Sequence, residues 1–174
     1  MKRLTQSVEN LVKVLNAVAT GIIVQEPSGK IVFVNDAAAR IMHLESPTQA
    51  VKIGGPGIFA DFDYFDEHGA PLSLTDLPGR KAFEGIDEPE ALIGYSRHKS
   101  TKRIRWTKVK ALPIKDDQGK TILSVTVMED ITDLKSTERR LKDANSRITK
   151  LLEQTLSVDP SQVIRVGKNV PRSH

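Results

Sequence analysis

The sequence predicts an antiparallel α+β domain with short helices on one face of its sheet. An N-terminal amphipathic helix and a C-terminal coiled-coil helix are predicted to flank this domain. Three observations support the prediction. Short apolar runs are separated by turn sequences, as in antiparallel hairpins. Short helical patterns interrupt these runs, and a heptad repeat occupies residues 134–158. A chain of 174 residues has room for one core plus such extensions.

An apolar stripe marks the first segment. Leu4, Val8, Leu11, Leu15 and Val18 recur at intervals of four and three residues. This spacing places them on one face of a helix, so residues 1–18 are predicted to form an amphipathic helix.

The next segment has the pattern of a hairpin followed by a short helix. Apolar residues 22–24 and 30–34 flank the turn sequence EPSG, which predicts two antiparallel strands. Asn35 or Asp36 is a suitable N-cap for a helix that continues to Met42.

The middle of the chain is less regular. The sequence GGPG at residues 54–57 predicts a loop, and a short helix is predicted to start near Pro78. The apolar alternation shifts after Trp106, which indicates either a bulge or burial on both faces of that strand. The strands predicted in the second half lie at residues 90–94, 103–112 and 121–128.

The last helix carries the period of a coiled coil, about 3.5 residues. Residues 132–157 are predicted to form a coiled-coil helix that pairs in parallel with a second copy. Packing of the same seam against the sheet of its own chain is the alternative. The sequence VDP is predicted to end the helix, and residues 158–174 to form a polar tail or linker. The seam positions are Leu134, Thr137, Leu141, Ala144, Ile148, Leu151, Thr155 and Val158.

Composition and charge exclude several kinds of chemistry. The chain has no cysteine, so it forms no disulfide and no thiolate metal site, and a cytoplasmic location is expected. No apolar run is long enough to cross a membrane. Residues 97–110 contain seven Lys or Arg and no acid, but Trp106 is their one stacking group. Nucleic-acid binding is therefore not expected.

No catalytic or metal-binding motif is present in the sequence. The sequence GKT at residues 119–121 lacks the earlier glycine of a phosphate-binding loop, because Ile114 stands there. Asp61, Asp63 and Asp66 have no spacing typical of general-acid chemistry, and no histidine pair has metal-ligand spacing. The chain is therefore not expected to be an enzyme.

Several segments, taken in order, resemble the PAS domain. Asp130, Ile131 and Thr132 match the Asp-Ile-Thr signature where bacterial PAS domains join their output helix. The resemblance covers residues 15–134 and implies a sensor domain over residues 19–131. Residues 66–94 depart from the shortest PAS domains and resemble a longer loop-and-helix insert. The other matching segments are GIIV at 21–24, GKIVFVN at 29–35, KALPI at 110–114 and DQG at 117–119.

The resemblance implies that the junction transmits a signal. Asp130 and Thr132 would cap the helix and Ile131 would anchor it, so that a change in the sheet alters the helix. A downstream effector such as a histidine kinase, a cyclase or a phosphatase would detect this change. Helix capping without signalling is the alternative. A homodimer is also implied, with interface candidates Leu11, Leu15, Leu134, Leu141, Ile148 and Leu151.

The resemblance implies that a small ligand or cofactor is enclosed, without naming it. Phe59, Tyr95 and Trp106 are the candidate pocket residues, although aromatic residues equally fill a core. The absence of cysteine excludes a covalent flavin. Haem is not expected, because residues 74–85, where such domains place the axial histidine, contain none. The predicted function is detection of a ligand and relay to an effector; the alternative is a PAS module that only dimerises or binds a protein.

Overall fold

The structure is a computed structural model that describes residues 2–156. The chain forms two compact units, Met1–Thr132 and Asp133–His174. The predicted helix stop at residues 158–160 and the predicted polar tail over residues 158–174 lie outside the described residues.

The first unit is built on a six-stranded sheet in which every neighbouring pair is antiparallel. The strands are β1 (Gly21–Gln25), β2 (Ile31–Val34), β3 (Phe62–Asp66), β4 (Leu92–His98), β5 (Ile104–Lys115) and β6 (Thr121–Asp130). Their spatial order is β2-β1-β6-β5-β4-β3. The first hairpin therefore pairs with the last strand of the chain.

Helices precede, interrupt and follow this sheet. They are α1 (Lys2–Ala17), α2 (Asp36–Ile41), α3 (Pro47–Phe59), α4 (Pro78–Phe83) and α5 (Thr132–Leu156), with a short 3-10 turn at Leu74–Asp76. The predicted α+β class, with short helices between the strands and a helix at each end, is confirmed. In the described part of the chain, no helix combines the length and hydrophobicity needed to cross a membrane.

Two local features differ from the predictions. The strand β3 was not predicted, because the sequence FDYFD mixes aromatic residues and aspartates without a period of two and lies next to a charged turn. Of residues 54–57, which were predicted as loop, residues 55–57 are helical, whereas Gly54 has a φ of 68° and is the non-helical kink between the two helical segments of α3.

At Trp106 the strand β5 shows no register shift, so the predicted bulge is absent there, and its one irregularity lies between Ile114 and Lys115. The alternative, burial on both faces, agrees with the structure, because residues 105–109 are all half-buried.

The core lies between the sheet and the short helices. Ile23, Ile31 and Val34 from the first hairpin pack with Ala38 and Ala39 of α2, and all five are buried. Small side chains on α2 let its backbone approach β1 closely. A Cβ at Gly21 would lie 2.9 Å from the Ala38 Cα, so this contact requires glycine. The hairpin and α2 thus form one tightly packed end of the unit.

Asn35 joins three elements through a completely buried side chain. Its Oδ1 accepts hydrogen bonds from the amides of Ile22 and Ala38, both at 2.9 Å. Its Nδ2 donates to the carbonyls of Leu15 at 2.8 Å and Thr20 at 2.9 Å. The residue is therefore the N-cap of α2 and also fixes the end of α1 and the start of β1.

The second unit contains most of α5. The predicted seam positions Leu134, Leu141, Ile148 and Leu151 are each more than half exposed. Polar and charged residues fill the positions between them, as in an amphipathic helix.

The Asn35 network predicts a large loss of stability in Asn35→Asp. This change keeps the acceptor but removes both donated hydrogen bonds and sets a carboxylate against two carbonyls. We expect the free energy of unfolding to fall by about 3–5 kcal/mol, measured by urea denaturation. The matched control is Asn10→Asp, because Asn10 is exposed and contacts Gln6 at 3.3 Å. Its unfolding free energy should change by less than about 0.5 kcal/mol. Equal losses in the two variants would contradict the role of Asn35.

Candidate functional site

A cavity of about 360 Å³ lies between the inner face of the sheet and the helices α2, α3 and α4. Most of its lining is aliphatic or aromatic, with a few hydroxyl and amide side chains. A volume of this size is in the range of small-molecule sites. The apolar lining includes Ile23, Ile31, Ile41, Met42, Ile58, Leu72, Leu74, Leu77, Leu92, Val109 and Met128.

Aromatic rings from α3 and β3 form one wall of the cavity. Phe59 and Tyr64 pack edge to face with centroids 5.0 Å apart, and Phe62 lies 6.3 Å from Tyr64. Burial raises the pKa of the Tyr64 hydroxyl well above its ordinary value. The Tyr64 side chain therefore stays neutral at physiological pH and contributes a hydroxyl rather than a charge.

The three aromatic residues predicted to line a pocket occupy different places. Phe59 and Tyr95 border the cavity, whereas Trp106 is not part of its lining. Tyr95 also stacks on Phe65 at 4.9 Å and contacts Trp106 at 4.8 Å, across the strands β3, β4 and β5. Their role in ligand binding stays a prediction.

Most of the cavity lining was missed by the sequence reasoning. Ile23 and Gln25 on β1, and Thr126 and Met128 on β6, are two residues apart and so point to one face of the sheet. This period-two pattern could have identified the inner face in the first hairpin and in β6. It does not show which inner residues surround open volume and which pack against a helix.

The histidines do not suit a cofactor in this cavity. No histidine of the described residues lines it. His43 stacks on Phe62 at 5.7 Å, and His98 packs against the same ring at 5.0 Å. Partial burial, and then the nearby positive charge of Arg105, lowers the pKa of His43. Within residues 2–156, no group of three or more potential metal-binding side chains comes together.

The junction between β6 and α5 is held by hydrogen bonds to β5. The Thr132 hydroxyl accepts a hydrogen bond from the Trp106 amide at 3.0 Å. The Asp130 Oδ1 accepts from the Thr132 amide at 3.0 Å and from its hydroxyl at 2.6 Å. Ile131 is buried, and its amide donates to the Trp106 carbonyl at 2.9 Å. All three signature residues therefore connect the start of α5 to one point on the sheet.

Arg105 connects this junction to the wall of the cavity. Its Nη1 lies 3.3 Å from the Asp130 Oδ2 and donates to the Arg40 carbonyl at 3.1 Å. Arg40 belongs to α2, and the next two residues, Ile41 and Met42, line the cavity. A displacement of α2 would therefore change the partners of Arg105 and reach Asp130.

The predicted dimer-interface residues lie on both flanking helices. On α1, Leu11 is exposed and Leu15 is partly buried. On α5, Leu134, Leu141, Ile148 and Leu151 are exposed. Each helix therefore presents apolar side chains to its surroundings, and their role in dimerisation stays a prediction.

Comparison with known proteins identifies the family. A family model of the PAS domain matches residues 19–133. A search of curated protein sequences found no match. The PAS domain of an HTR-like protein from Haloarcula marismortui is 16% identical, with a TM-score of 0.50, and the match covers 75% of this chain and 96% of that one.

Two further solved structures are similar to this chain. An RNA-binding light-oxygen-voltage receptor is 13% identical, with a TM-score of 0.53, and the match covers 82% of this chain and 38% of that one. The PAS domain of a protein from Colwellia psychrerythraea is 14% identical, with a TM-score of 0.47, and the match covers 72% and 98% of the two chains. At these identities, the two structures with TM-scores of 0.50 and 0.53 show a common fold alone.

The family assignment therefore depends on the family model, which spans more than half of the sequence. The sheet, the short helices and the Asp130–Thr132 junction agree with it. PAS domains are, as a class, signalling modules that are generally not catalytic. This chain belongs to the PAS domain family.

Proposed function

We propose that this PAS module detects a small organic ligand in its cavity and relays binding through α5 to an effector such as a histidine kinase. Membership of the PAS family supports a sensory role in general. The observation that carries the ligand proposal is the cavity of about 360 Å³ with its largely apolar walls. Well-packed cores leave few voids of this size, so the volume needs an explanation.

The contacts between the cavity wall and the junction support the relay. A ligand against Ile41 and Met42 would shift α2, to whose last turn Arg105 is bonded. Arg105 also pairs with Asp130, which bonds the first residue of α5. The contacts from α2 to α5 are hydrogen bonds and an ion pair, so a small shift of α2 would change the start of the helix.

We also propose that the module works as a homodimer through α1 and α5. The exposed heptad seam of α5 has the period of a two-stranded coiled coil. A parallel pair would place both effectors at the same end, where a change in helix register can be detected. The effector would be a downstream domain or a bound protein.

The rival function is a PAS module that only dimerises or binds a protein partner. Such a module needs no internal volume, and side chains would fill its core. The cavity favours the sensory proposal over this rival.

Ligand binding is tested first by native mass spectrometry of the purified protein, compared with its mass after denaturation. We expect a small molecule that is lost on denaturation. Val109→Phe should abolish its retention, because Val109 lines the cavity. Leu112→Phe is the matched control, because Leu112 is 57% exposed on the same strand. Identical native and denatured masses, or equal retention in both variants, would favour the rival.

The junction predicts that Thr132→Val weakens the contact with β5. Loss of the hydroxyl removes the acceptor of the Trp106 amide, which should cost about 1–3 kcal/mol of stability and speed exchange of that amide with deuterium. Ligand retention should not change. Thr149→Val is the control, because the Thr149 hydroxyl bonds within α5 to the Asn145 carbonyl. Unchanged exchange at Trp106 would contradict the assigned role of Thr132.

The dimer proposal predicts dissociation when charge enters the seam. Leu141→Lys combined with Ile148→Lys should lower the sedimentation coefficient to that of a monomer, while circular dichroism shows an intact sheet. The control is Ser136→Lys combined with Ser146→Lys, which adds the same charge outside the seam. This variant should remain a dimer. Equal sedimentation of both variants and the parent would refute the coiled coil.

A further inference from the structure

Three polar side chains at or beside the cavity make no hydrogen bond to the described residues. Ser124 is fully buried, and its hydroxyl has no partner within that part of the chain. Gln25 is its cross-strand neighbour, and Thr126 is two residues further along β6. No group within residues 2–156 bonds the Thr126 hydroxyl or the Gln25 carboxamide. Three polar side chains on one sheet face are thus left for another partner.

These three groups converge on one point beside Gly79 of α4. A Cβ at Gly79 would lie 2.8 Å from the Thr126 Oγ1, 3.5 Å from the Ser124 Oγ and 3.6 Å from the Gln25 Oε1. Gly79, Gln25 and Thr126 line the cavity. Gly79 therefore lets the α4 backbone lie directly against these three groups, of which Gln25 and Thr126 face the cavity.

Packing alone does not explain this arrangement. A buried hydroxyl without a partner costs free energy, and an alanine at the same place would not. Ala111, the neighbour of Thr126 on β5, is itself buried, so this part of the sheet accepts small apolar side chains. The polar residues are therefore expected to bind something that enters the cavity.

The charges around the cavity restrict the chemistry of that partner. Arg80 is the one charged residue of the described lining. It is exposed, and its Nη1 donates to the Pro27 carbonyl at 3.4 Å, away from the interior. Hydroxyl and carboxamide groups both donate and accept hydrogen bonds but do not neutralise a charge. An ion placed beside them would lose its hydration without gaining an opposite charge.

We propose that the ligand is a neutral molecule with an apolar body and one amide-like hydrogen-bonding group, such as a lactam. Thr126 and Gln25 bind that group beside the buried Ser124 hydroxyl, and the body lies against the aromatic wall of Phe59, Phe62 and Tyr64. This inference rests on the proposed function, because it names the class of ligand for the same cavity.

Three probes of equal ring size test the proposal: the lactam carbostyril, the hydrocarbon naphthalene and the anion naphthoate. The full chain is first denatured and refolded to remove any retained molecule. Each probe is then titrated into it, and the dissociation constant is measured by NMR. We expect carbostyril to bind at least about tenfold more tightly than either other probe. The combined change Ser124→Ala and Thr126→Val should remove this preference and leave naphthalene affinity equal or higher.

The matched control is Ser96→Ala, which removes a hydroxyl from another part of the same cavity lining and should retain the preference. Removal of the unpaired Ser124 hydroxyl should leave the melting temperature unchanged or raised, so the variant is expected to fold. Equal affinity for carbostyril and naphthalene would overturn the inference, although the cavity would remain a ligand site. The same would follow if Ser96→Ala lost the preference for carbostyril as fully as the double variant does. Tighter binding of naphthoate would overturn the neutral class. Binding of none of the probes would overturn both the inference and the proposed function.

Discussion

Four hydrogen bonds to the buried side chain of Asn35 determine how the first unit is arranged. The four backbone groups that Asn35 bonds lie in different segments: the end of α1, the residue before β1, the second residue of β1 and the first turn of α2. A buried amide must satisfy both its donors and its acceptor, so these segments cannot move independently without leaving a polar group unpaired. The position of α2 over the sheet follows from this constraint.

The cavity results from unequal spacing between the helices and the sheet. At the start of α2, small side chains and the opposing Gly21 allow close backbone contact; these residues are Ala37, Ala38 and Ala39. Towards α3 and α4, the sheet and the helices enclose the cavity. One tightly packed end therefore supports an open end, which is a suitable arrangement for a binding site on a stable scaffold.

The direct connection of β6 to α5 has a physical explanation in the Trp106 backbone. Both backbone groups of this residue bond to the junction, through the Thr132 hydroxyl and the Ile131 amide. Asp130 then divides its two oxygens between the first residue of α5 and Arg105. A flexible loop would absorb a displacement of the sheet, whereas this bonded junction ties the start of the helix to β5. That property is what a relay would need, and it is also sufficient to cap a helix.

The sequence alone determined the features that depend on local pattern. The first hairpin followed from the EPSG turn and α5 from its heptad spacing, because both patterns reflect local backbone geometry. The junction at residues 130–132 followed from the resemblance of its sequence to a PAS signature. Tertiary structure decided the rest. The strand β3 forms because β4 offers it a partner, although its sequence FDYFD lacks the period of two that predicts a strand. The segment α3 continues past a non-helical Gly54, and it contacts β2, which the local pattern of GGPG does not show. The polar cluster of Gln25, Ser124 and Thr126 arises only when β1 pairs with β6, which brings together residues about a hundred positions apart in the sequence.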